Sequence, residues 1–335
     1  MNKVILSEGL EVSAMSIGCW SFGGGAYWGA QSQEDCDRVV RSAIDEGVRL
    51  FDTAEMYNDG ESEISLGRAL NGIRHQAVIM DKIPADFLHK EDVKKHCEDS
   101  LKRLNTDYID IYAPHWPLTT AQNPASYEEC FEALIRLKEE GKIRHIGVSN
   151  FGTGQINEIY SKTQAEPVIN ELLYNILSRA IEDSIIPACK QHQMGILSYL
   201  PIHQGVLTGK YRTVEDIPFN QTRTRHFNSK RGGRHGGKGA ENEVARILNG
   251  MAQISEKTGY SMTHLALSYA VQRDGISSVL VGCRNEKQLK ENSYAINNPV
   301  PMELVDEMNL LSEPLYKMLG SNADYYESEE NARIF

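Results

Sequence analysis

Short apolar segments rich in β-branched residues recur along this chain, and helix-like segments separate them. Each apolar segment has the length of a buried parallel strand. The first seven begin 24 to 35 residues apart, which accommodates one strand and one crossover helix per repeat. The predicted strands are 14–17, 48–52, 77–81, 108–112, 143–148, 167–171, 195–199 and 278–281.

Amphipathic patterns predict helices in the intervals. Residues 32–46 carry one apolar stripe and are followed by Gly47, a residue typical of helix ends. Similar stripes occupy 91–104 and 126–140, where Ser126 and Glu129 have the spacing of a capping box. Eight strands alternating with helices predict a (β/α)8 TIM barrel. A doubly wound sheet is the alternative, but Gly23-Gly24-Gly25 lacks the phosphate-binding G-x-G-x-x-G spacing.

Two segments depart from the repeat. Residues 3–14 resemble a hairpin that turns near 7–9, and such a hairpin could plug the bottom of the barrel. The interval between strands seven and eight is long enough for extra helices near 241–258 and 262–273. It begins with a basic, glycine-rich loop at 220–239, which has six Lys or Arg, five Gly and no acidic residue. We predict that this loop is mobile until it orders over an anion, because nothing apolar holds it.

The domain prediction is one barrel over residues 1–320 and a polar tail over 321–335. The tail is expected to be disordered, to close the pocket or to dock on a neighbouring subunit. The sequence leaves open whether the protein forms a homo-oligomer.

Composition and charge exclude several classes of protein. The net charge of −11 argues against a nucleic-acid partner, which usually requires a basic face. No apolar run reaches the roughly 18 residues that span a bilayer, and the N-terminus has no secretory core. The six cysteines include no C-x-x-C pair, so they fit neither a zinc site nor a disulfide framework. These features predict a cytoplasmic protein with reduced thiols and no membrane partner.

Polar residues follow three consecutive predicted strands. Asp52 and Tyr57 follow strand two, Lys82 follows strand three and His115 follows strand four. Each alone would be an ordinary cap, surface or packing residue. Because catalytic groups of such barrels lie at the carboxyl ends of the strands, the four are expected at one rim.

At these positions the chain resembles the aldo-keto reductases. The shared motifs are FDTAEMY at 51–57, the strand-three Lys, HWP at 115–117, GVSNF at 147–151, SYLP at 198–201, QGVLTGKY at 204–211, VGCRN at 281–285 and QLKEN at 288–292. They occur in order, and the resemblance spans about residues 3 to 320. It implies an enzyme that reduces an aldehyde or ketone with a nicotinamide cofactor and without a metal.

The resemblance also implies a role for each rim residue. Tyr57 would donate the proton, and Lys82 would lower its pKa from the usual value near 10. Asp52 would hold Lys82, and His115 would orient the carbonyl oxygen. A competing interpretation makes His115, His203 and Asp52 metal ligands, although no His-x-His pair is present.

Further residues are assigned to the cofactor by the same resemblance. Ser149 and Asn150 would hold the nicotinamide amide, assisted by Glu171 where much of the family has Gln. The others are Tyr199 stacked on the ring, Gly205 and Leu207 at the pyrophosphate, and Gly282, Arg284, Gln288 and Asn292 near the adenosine. NADP(H) is favoured because Arg284 suits a phosphate, and NAD(H) is left open.

The substrate is the least defined part of the hypothesis. The predicted pocket walls are Trp20, Trp28, Met56, Trp116 and His203. Their mixture of indole and polar groups favours a sugar- or polyol-type carbonyl. The alternative function is a cofactor-binding regulatory subunit of a membrane channel with little turnover.

Overall fold

The computed structural model describes residues 1–335 and contains eleven strands. They are β1 (Lys3–Ser7), β2 (Leu10–Ser13), β3 (Met15–Gly18), β4 (Leu50–Asp52), β5 (Val78–Ile83), β6 (Ile109–Pro114), β7 (Ile143–Ile146), β8 (Val148–Ser149), β9 (Ile169–Leu173), β10 (Gly195–Tyr199) and β11 (Ser278–Gly282). Strands β3 to β11 form one parallel sheet in the order β7-β6-β5-β4-β3-β11-β10-β9-β8.

The sheet closes into a barrel at Gly147. This residue separates β7, which pairs with β6, from β8, which pairs with β9, so the two segments make one barrel strand. A Cβ at Gly147 would lie 2.7 Å from Cγ2 of Ile111 in the barrel interior, which explains the absence of a side chain here. The (β/α)8 prediction is confirmed, and the doubly wound alternative is wrong.

Ten α-helices accompany the strands. They are α1 (Gln33–Asp45), α2 (Glu61–Ala69), α3 (Lys90–Leu104), α4 (Tyr127–Glu139), α5 (Thr153–Lys162), α6 (Ile185–Gln191), α7 (Glu241–Thr258), α8 (Met262–Val271), α9 (Glu286–Asn297) and α10 (Met302–Leu319). The extra helices α7 and α8 lie between β10 and β11, as predicted. None of the helices combines the length and the apolar character that crossing a membrane requires.

The capping box predicted for α4 is only half formed. Ser126 Oγ accepts a hydrogen bond from the Glu129 amide at 3.1 Å, which is the expected N-cap. The Glu129 carboxylate instead accepts from the backbone N–H of Lys90, at the start of α3. The Glu129 side chain therefore links α4 to the start of α3 and does not cap its own helix.

The core has two layers, and the hairpin completes the inner one. β1 and β2 pair antiparallel, and β2 places Leu10 and Val12 among nine buried residues of the barrel interior. The outer layer of 81 buried residues lies between the sheet and the helices. The predicted plug is thus confirmed, and it leaves the opposite, carboxyl end of the barrel free for a site.

Residues 220–239 differ from the prediction. Phe227 is fully buried, so an apolar side chain does hold this loop. Arg225 donates to the carbonyl oxygens of Leu319 and Asn322 at 2.9 and 2.6 Å, and Arg231 donates to that of Ile217 at 2.8 Å. The expectation that nothing apolar holds this loop is therefore wrong, and the guanidinium groups of Arg225 and Arg231 are also bound by backbone carbonyls.

The C-terminal tail packs on the rim of the same barrel. Arg333 forms an ion pair with buried Asp324 at 2.7 Å, and its guanidinium lies 3.8 Å from the ring centroid of Trp116. The Phe335 carbonyl accepts from the Gly154 amide at the start of α5. The division into a barrel of 1–320 and a tail of 321–335 stays a prediction.

Candidate active site

The four predicted rim residues lie at the carboxyl ends of three adjacent strands or in the loops that follow them. Lys82 lies inside β5 rather than after it, because β5 continues its pairing with β6 as far as Ile83 and Pro114. This longer ladder points Lys82 into the barrel, where its side chain is completely buried. Asp52 ends β4 next to it.

Lys82 is held by two carboxylates. Its Nζ donates to Asp52 Oδ1 and, at 2.8 Å, to Glu171 Oε2. The Lys82 side chain is 0% exposed, and those of Asp52 and Glu171 are 1% and 5% exposed. The Asp52 contact was predicted. The Glu171 contact was not, and the only sequence signal for it is a Glu at a position where the resemblance to the aldo-keto reductases implies Gln.

Tyr57 lies between Lys82 and His115. The Lys82 ammonium is 5.2 Å from the Tyr57 ring centroid, and the His115 ring packs edge-on at 5.5 Å. Burial raises the pKa of Tyr57 well above its usual value, whereas Lys82 lowers this pKa and Asp52 and Glu171 add to the rise. The Lys82 charge thus acts on the Tyr57 pKa in the expected direction, and burial opposes it.

His115 is a neutral hydrogen-bonding group. Burial, and then the Lys82 charge, hold its pKa well below the ordinary value of an imidazole. Its Nδ1 has no hydrogen-bond partner within the protein. A buried imidazole in this state can donate or accept one hydrogen bond without introducing charge.

A second network surrounds the end of β8. Asn150, with a left-handed φ of 64°, donates from Nδ2 to the His115 carbonyl and to Ser149 Oγ, each at 3.0 Å. The Tyr199 hydroxyl donates to Asn150 Oδ1 at 2.8 Å. Ser149 Oγ donates to the Glu171 carbonyl at 3.3 Å. The structure thus groups Ser149, Asn150 and Tyr199 beside His115, whereas Glu171 joins this group through its backbone carbonyl and turns its carboxylate to Lys82.

The predicted pyrophosphate and adenosine contacts lie on the loops after β10 and β11. Gly205 has a φ of 93°, and a Cβ there would meet the Lys210 Nζ at 2.6 Å, while Leu207 is buried. The Arg284 side chain donates to Gln31 Oε1 at 3.0 Å. Gln288 Oε1 accepts from the Arg284 amide, Asn292 donates to Cys283 Sγ, and Gly282 is exposed.

Aromatic rings cover the entrance to Tyr57. Trp20 stacks 5.8 Å from Tyr57 and 4.8 Å from Tyr27, and Trp28 packs edge-on against both Trp20 and Tyr27. Met56 is 54% exposed. Trp116, which follows His115, lies under Arg333 from the tail. Four of the five predicted walls are therefore half-buried or exposed residues on this rim or its loops.

His203 is the exception among the predicted walls. Its side chain is 1% exposed and packs against His226, with ring centroids 5.0 Å apart. It contacts Asn175 rather than an open pocket, so its assignment as a pocket wall is wrong. Asp52 is engaged with Lys82, and no three His, Cys, Asp or Glu side chains are grouped as for a metal ion. The three residues of the metal interpretation therefore do not form one site.

Sequence reasoning missed several residues at this rim. Arg223 lies over the Tyr27 ring at 5.0 Å and forms no ion pair with a carboxylate. Tyr27 itself bridges two loops, because its hydroxyl lies within hydrogen-bond distance of the Asn220 carbonyl at 2.7 Å and of Gln204 Oε1 at 2.9 Å. Tyr326 packs against Trp116 at 6.2 Å. Nothing local marks these residues, since each reaches the site from a loop or from the tail.

Comparisons with known proteins agree with this arrangement. The sequence profile of the aldo/keto reductase family matches residues 14–313. Aldo-keto reductase YhdN of Bacillus subtilis is 31% identical over 321 residues, covering 92% of both chains. An NADH-specific methylglyoxal reductase of Escherichia coli is 30% identical, covering 89% of this chain and 94% of that protein.

A solved structure gives the same result at the level of the fold. The aldo-keto reductase of Klebsiella pneumoniae in complex with NADPH superimposes with a TM-score of 0.73 at 25% identity, covering 100% of this chain and 99% of that one. Because the family profile spans the whole barrel, together with the rim that carries Tyr57, Lys82 and His115, this chain belongs to the aldo/keto reductase family.

Proposed function

We propose that this protein is a reductase that converts an aldehyde or ketone to an alcohol, reversibly, with a nicotinamide cofactor and with Tyr57 as the proton donor. The observation that carries the proposal is the grouping of Tyr57 with buried Lys82, Asp52 and His115 at one barrel rim. We place the protein in the cytoplasm and take its substrate to be a small sugar- or polyol-type carbonyl.

The residues at the rim suit the cofactor. Lys210 packs against Gly205, where any larger residue would place a Cβ in contact with the Lys210 ammonium. Because Lys210 pairs with no carboxylate, its charge is available for a phosphate of the cofactor. Ser149, Asn150 and Glu171 would hold the nicotinamide amide, and Tyr199 would support the ring. The remaining contacts would come from Leu207 and, near the adenosine, from Gly282, Arg284, Gln288 and Asn292. When bound, the cofactor supplies the hydride.

NADP(H) is the favoured form, and NAD(H) is kept as an alternative. Arg284 and Lys210 offer cations that suit a phosphate. The two relatives differ, since one was solved with NADPH and the other is described as NADH-specific.

The proton would move between Tyr57 and the substrate oxygen. Tyr57 gives its proton to the carbonyl oxygen as the alcohol forms, and the Lys82 ammonium stabilises the phenolate that is left. Neutral His115 orients the same oxygen through a hydrogen bond. A preorganised ammonium and imidazole in a buried site lower the barrier without having to reorganise during the reaction.

The pocket walls support a small carbonyl with apolar C–H faces. Trp20, Tyr27 and Trp28 form a continuous aromatic surface next to Tyr57, and such surfaces suit stacking against the C–H face of a sugar ring. Aromatic aldehydes could use the same surface.

A carbonyl panel tests the proposal. We expect loss of reduced-nicotinamide absorbance with NADPH or NADH in the presence of at least one class among sugar aldehydes, ketoses, inososes, methylglyoxal and aromatic aldehydes. A protein that binds the cofactor tightly but turns over none of them would instead fit the regulatory subunit of a membrane channel, and copurification with a membrane protein would support that role.

A pair of single substitutions tests the basic loop. Because Arg223 has no carboxylate partner, we expect Arg223→Ala to raise a KM without changing stability. Arg225 donates to two backbone carbonyls, so Arg225→Ala should lower the free energy of unfolding by about 1–3 kcal/mol. Urea unfolding and steady-state kinetics of both variants provide the comparison.

The kinetic constants identify the anion. If Arg223 serves the cofactor phosphates, KM for NADPH should rise more than KM for NADH. If it serves the substrate, only KM for anionic carbonyls should rise, and added salt should reproduce the loss. Unchanged constants would show that Arg223 contacts neither anion.

A further inference from the structure

Lys82 has one more carboxylate than its charge requires. Asp52 reaches it from the neighbouring strand β4, and Glu171 reaches it from β9, three positions away around the barrel. All three side chains are buried, so solvent does not screen their charges. Two carboxylates against one ammonium leave an excess negative charge beside the Tyr57 ring.

No other neighbour cancels that excess in the alkaline range where a tyrosine ionises. Burial raises the pKa of the Cys19 thiol and of the Tyr199 hydroxyl, and His115 is neutral. Asp81, next to Lys82 in the chain, accepts from the Lys82 backbone N–H, and burial raises its pKa too. Burial, and then the Glu171 charge, raises the pKa of the Asp52 carboxyl, and the Asp52 and Glu171 side chains both contact the Lys82 ammonium.

We propose that Glu171 is a positioning residue that acts on Tyr57 through Lys82. As a second carboxylate on a single buried ammonium, it offsets the attraction of Lys82 for a phenolate and keeps Tyr57 protonated to higher pH. The acid form that carbonyl reduction needs is therefore populated over a wider pH range. This consequence for turnover rests on the proposed function, whereas the effect on Tyr57 ionisation does not.

The test removes the charge of the Glu171 side chain and keeps the shape of that side chain. Removing the negative charge of Glu171 stabilises the Tyr57 phenolate. Glu171→Gln should therefore lower the pH at which Tyr57 ionises by about one unit or more. The readout is the ultraviolet tyrosinate titration of the protein minus that of its Tyr57→Phe form, in each background. The alkaline decline of kcat/KM for carbonyl reduction should move to lower pH by the same amount.

Two matched variants separate charge from structure. Glu171→Asp keeps the carboxylate and should restore ionisation towards that of the unmodified protein. Glu182→Gln neutralises a buried carboxylate that pairs with Arg179 and Arg273 rather than with Lys82, and it should leave the Tyr57 titration unchanged. Thermal unfolding of each variant shows that the fold is kept.

The outcomes distinguish the two proposals. If Glu171→Gln leaves the Tyr57 titration where it was, or moves it to higher pH, the role of Glu171 is wrong. If no carbonyl is reduced but the titration shifts, the proposed function fails and the role of Glu171 stands. Should Glu171→Gln not fold, Asp52→Asn provides the same test, since the remaining Glu171 then balances Lys82 and Tyr57 should again ionise at lower pH.

Discussion

Tyr57→Phe is expected to lower kcat for carbonyl reduction by roughly 10²–10⁴-fold, the usual contribution of a positioned acid. The substitution removes the proposed proton donor and leaves the ring contacts with Trp20 and His115 in place. Cofactor affinity should stay within a few-fold, because the proposed cofactor contacts lie on other loops. Steady-state kinetics and fluorescence titration with NADPH measure the two quantities.

Tyr27→Phe is the matched control. Tyr27 lies in the same aromatic cluster, but its hydroxyl bridges Gln204 and the Asn220 carbonyl rather than facing Lys82. Its loss should affect KM more than kcat. If Tyr57→Phe kept more than about a tenth of kcat, Tyr57 could not be the acid.

Lys82→Met is expected to abolish turnover and to weaken the fold. The variant leaves two buried carboxylates without a counter-ion, a change that typically costs about 3–5 kcal/mol. It should also raise the pH at which Tyr57 ionises, since Lys82 is the group that lowers the Tyr57 pKa. Urea unfolding and tyrosinate titration provide the measurements.

The pH dependence of this loss follows from the sign of the shift. Burial, and then the Glu171 charge, raises the folded-state pKa of Asp52 above its unfolded value, and removing the Lys82 ammonium raises it further. Such groups are tolerated below the unfolded pKa and destabilise the fold as pH rises. The stability deficit of Lys82→Met should therefore be larger at pH 8 than at pH 4.

Lys190→Met is the control for Lys82→Met. Lys190 pairs with Asp274 at the surface, where ion pairs contribute about 1 kcal/mol or less. Its loss should change neither turnover nor the pH dependence of stability. Equal unfolding free energies for Lys82→Met and the unmodified protein would contradict the buried charge cluster described above.

The sequence alone determined the barrel fold and which residues lie at the rim formed by the carboxyl ends of its strands. Strand and helix are local, periodic properties, so eight apolar segments at crossover spacing predicted the fold, the hairpin plug and the helices α7 and α8. The rim followed because the ends of parallel strands meet at one edge, which put Asp52, Tyr57, Lys82 and His115 together before any distance was known.

Only the tertiary structure decided which charges meet across the barrel. Glu171 and Lys82 lie 89 residues apart, and their contact depends on both side chains pointing inward at the same height, which strand spacing alone does not fix. The same holds for Arg225 on the carbonyls near the tail, for Arg333 over Trp116 and for the burial of His203. Long-range electrostatics and burial depend on three-dimensional distance and solvent access, and neither is a property of local sequence.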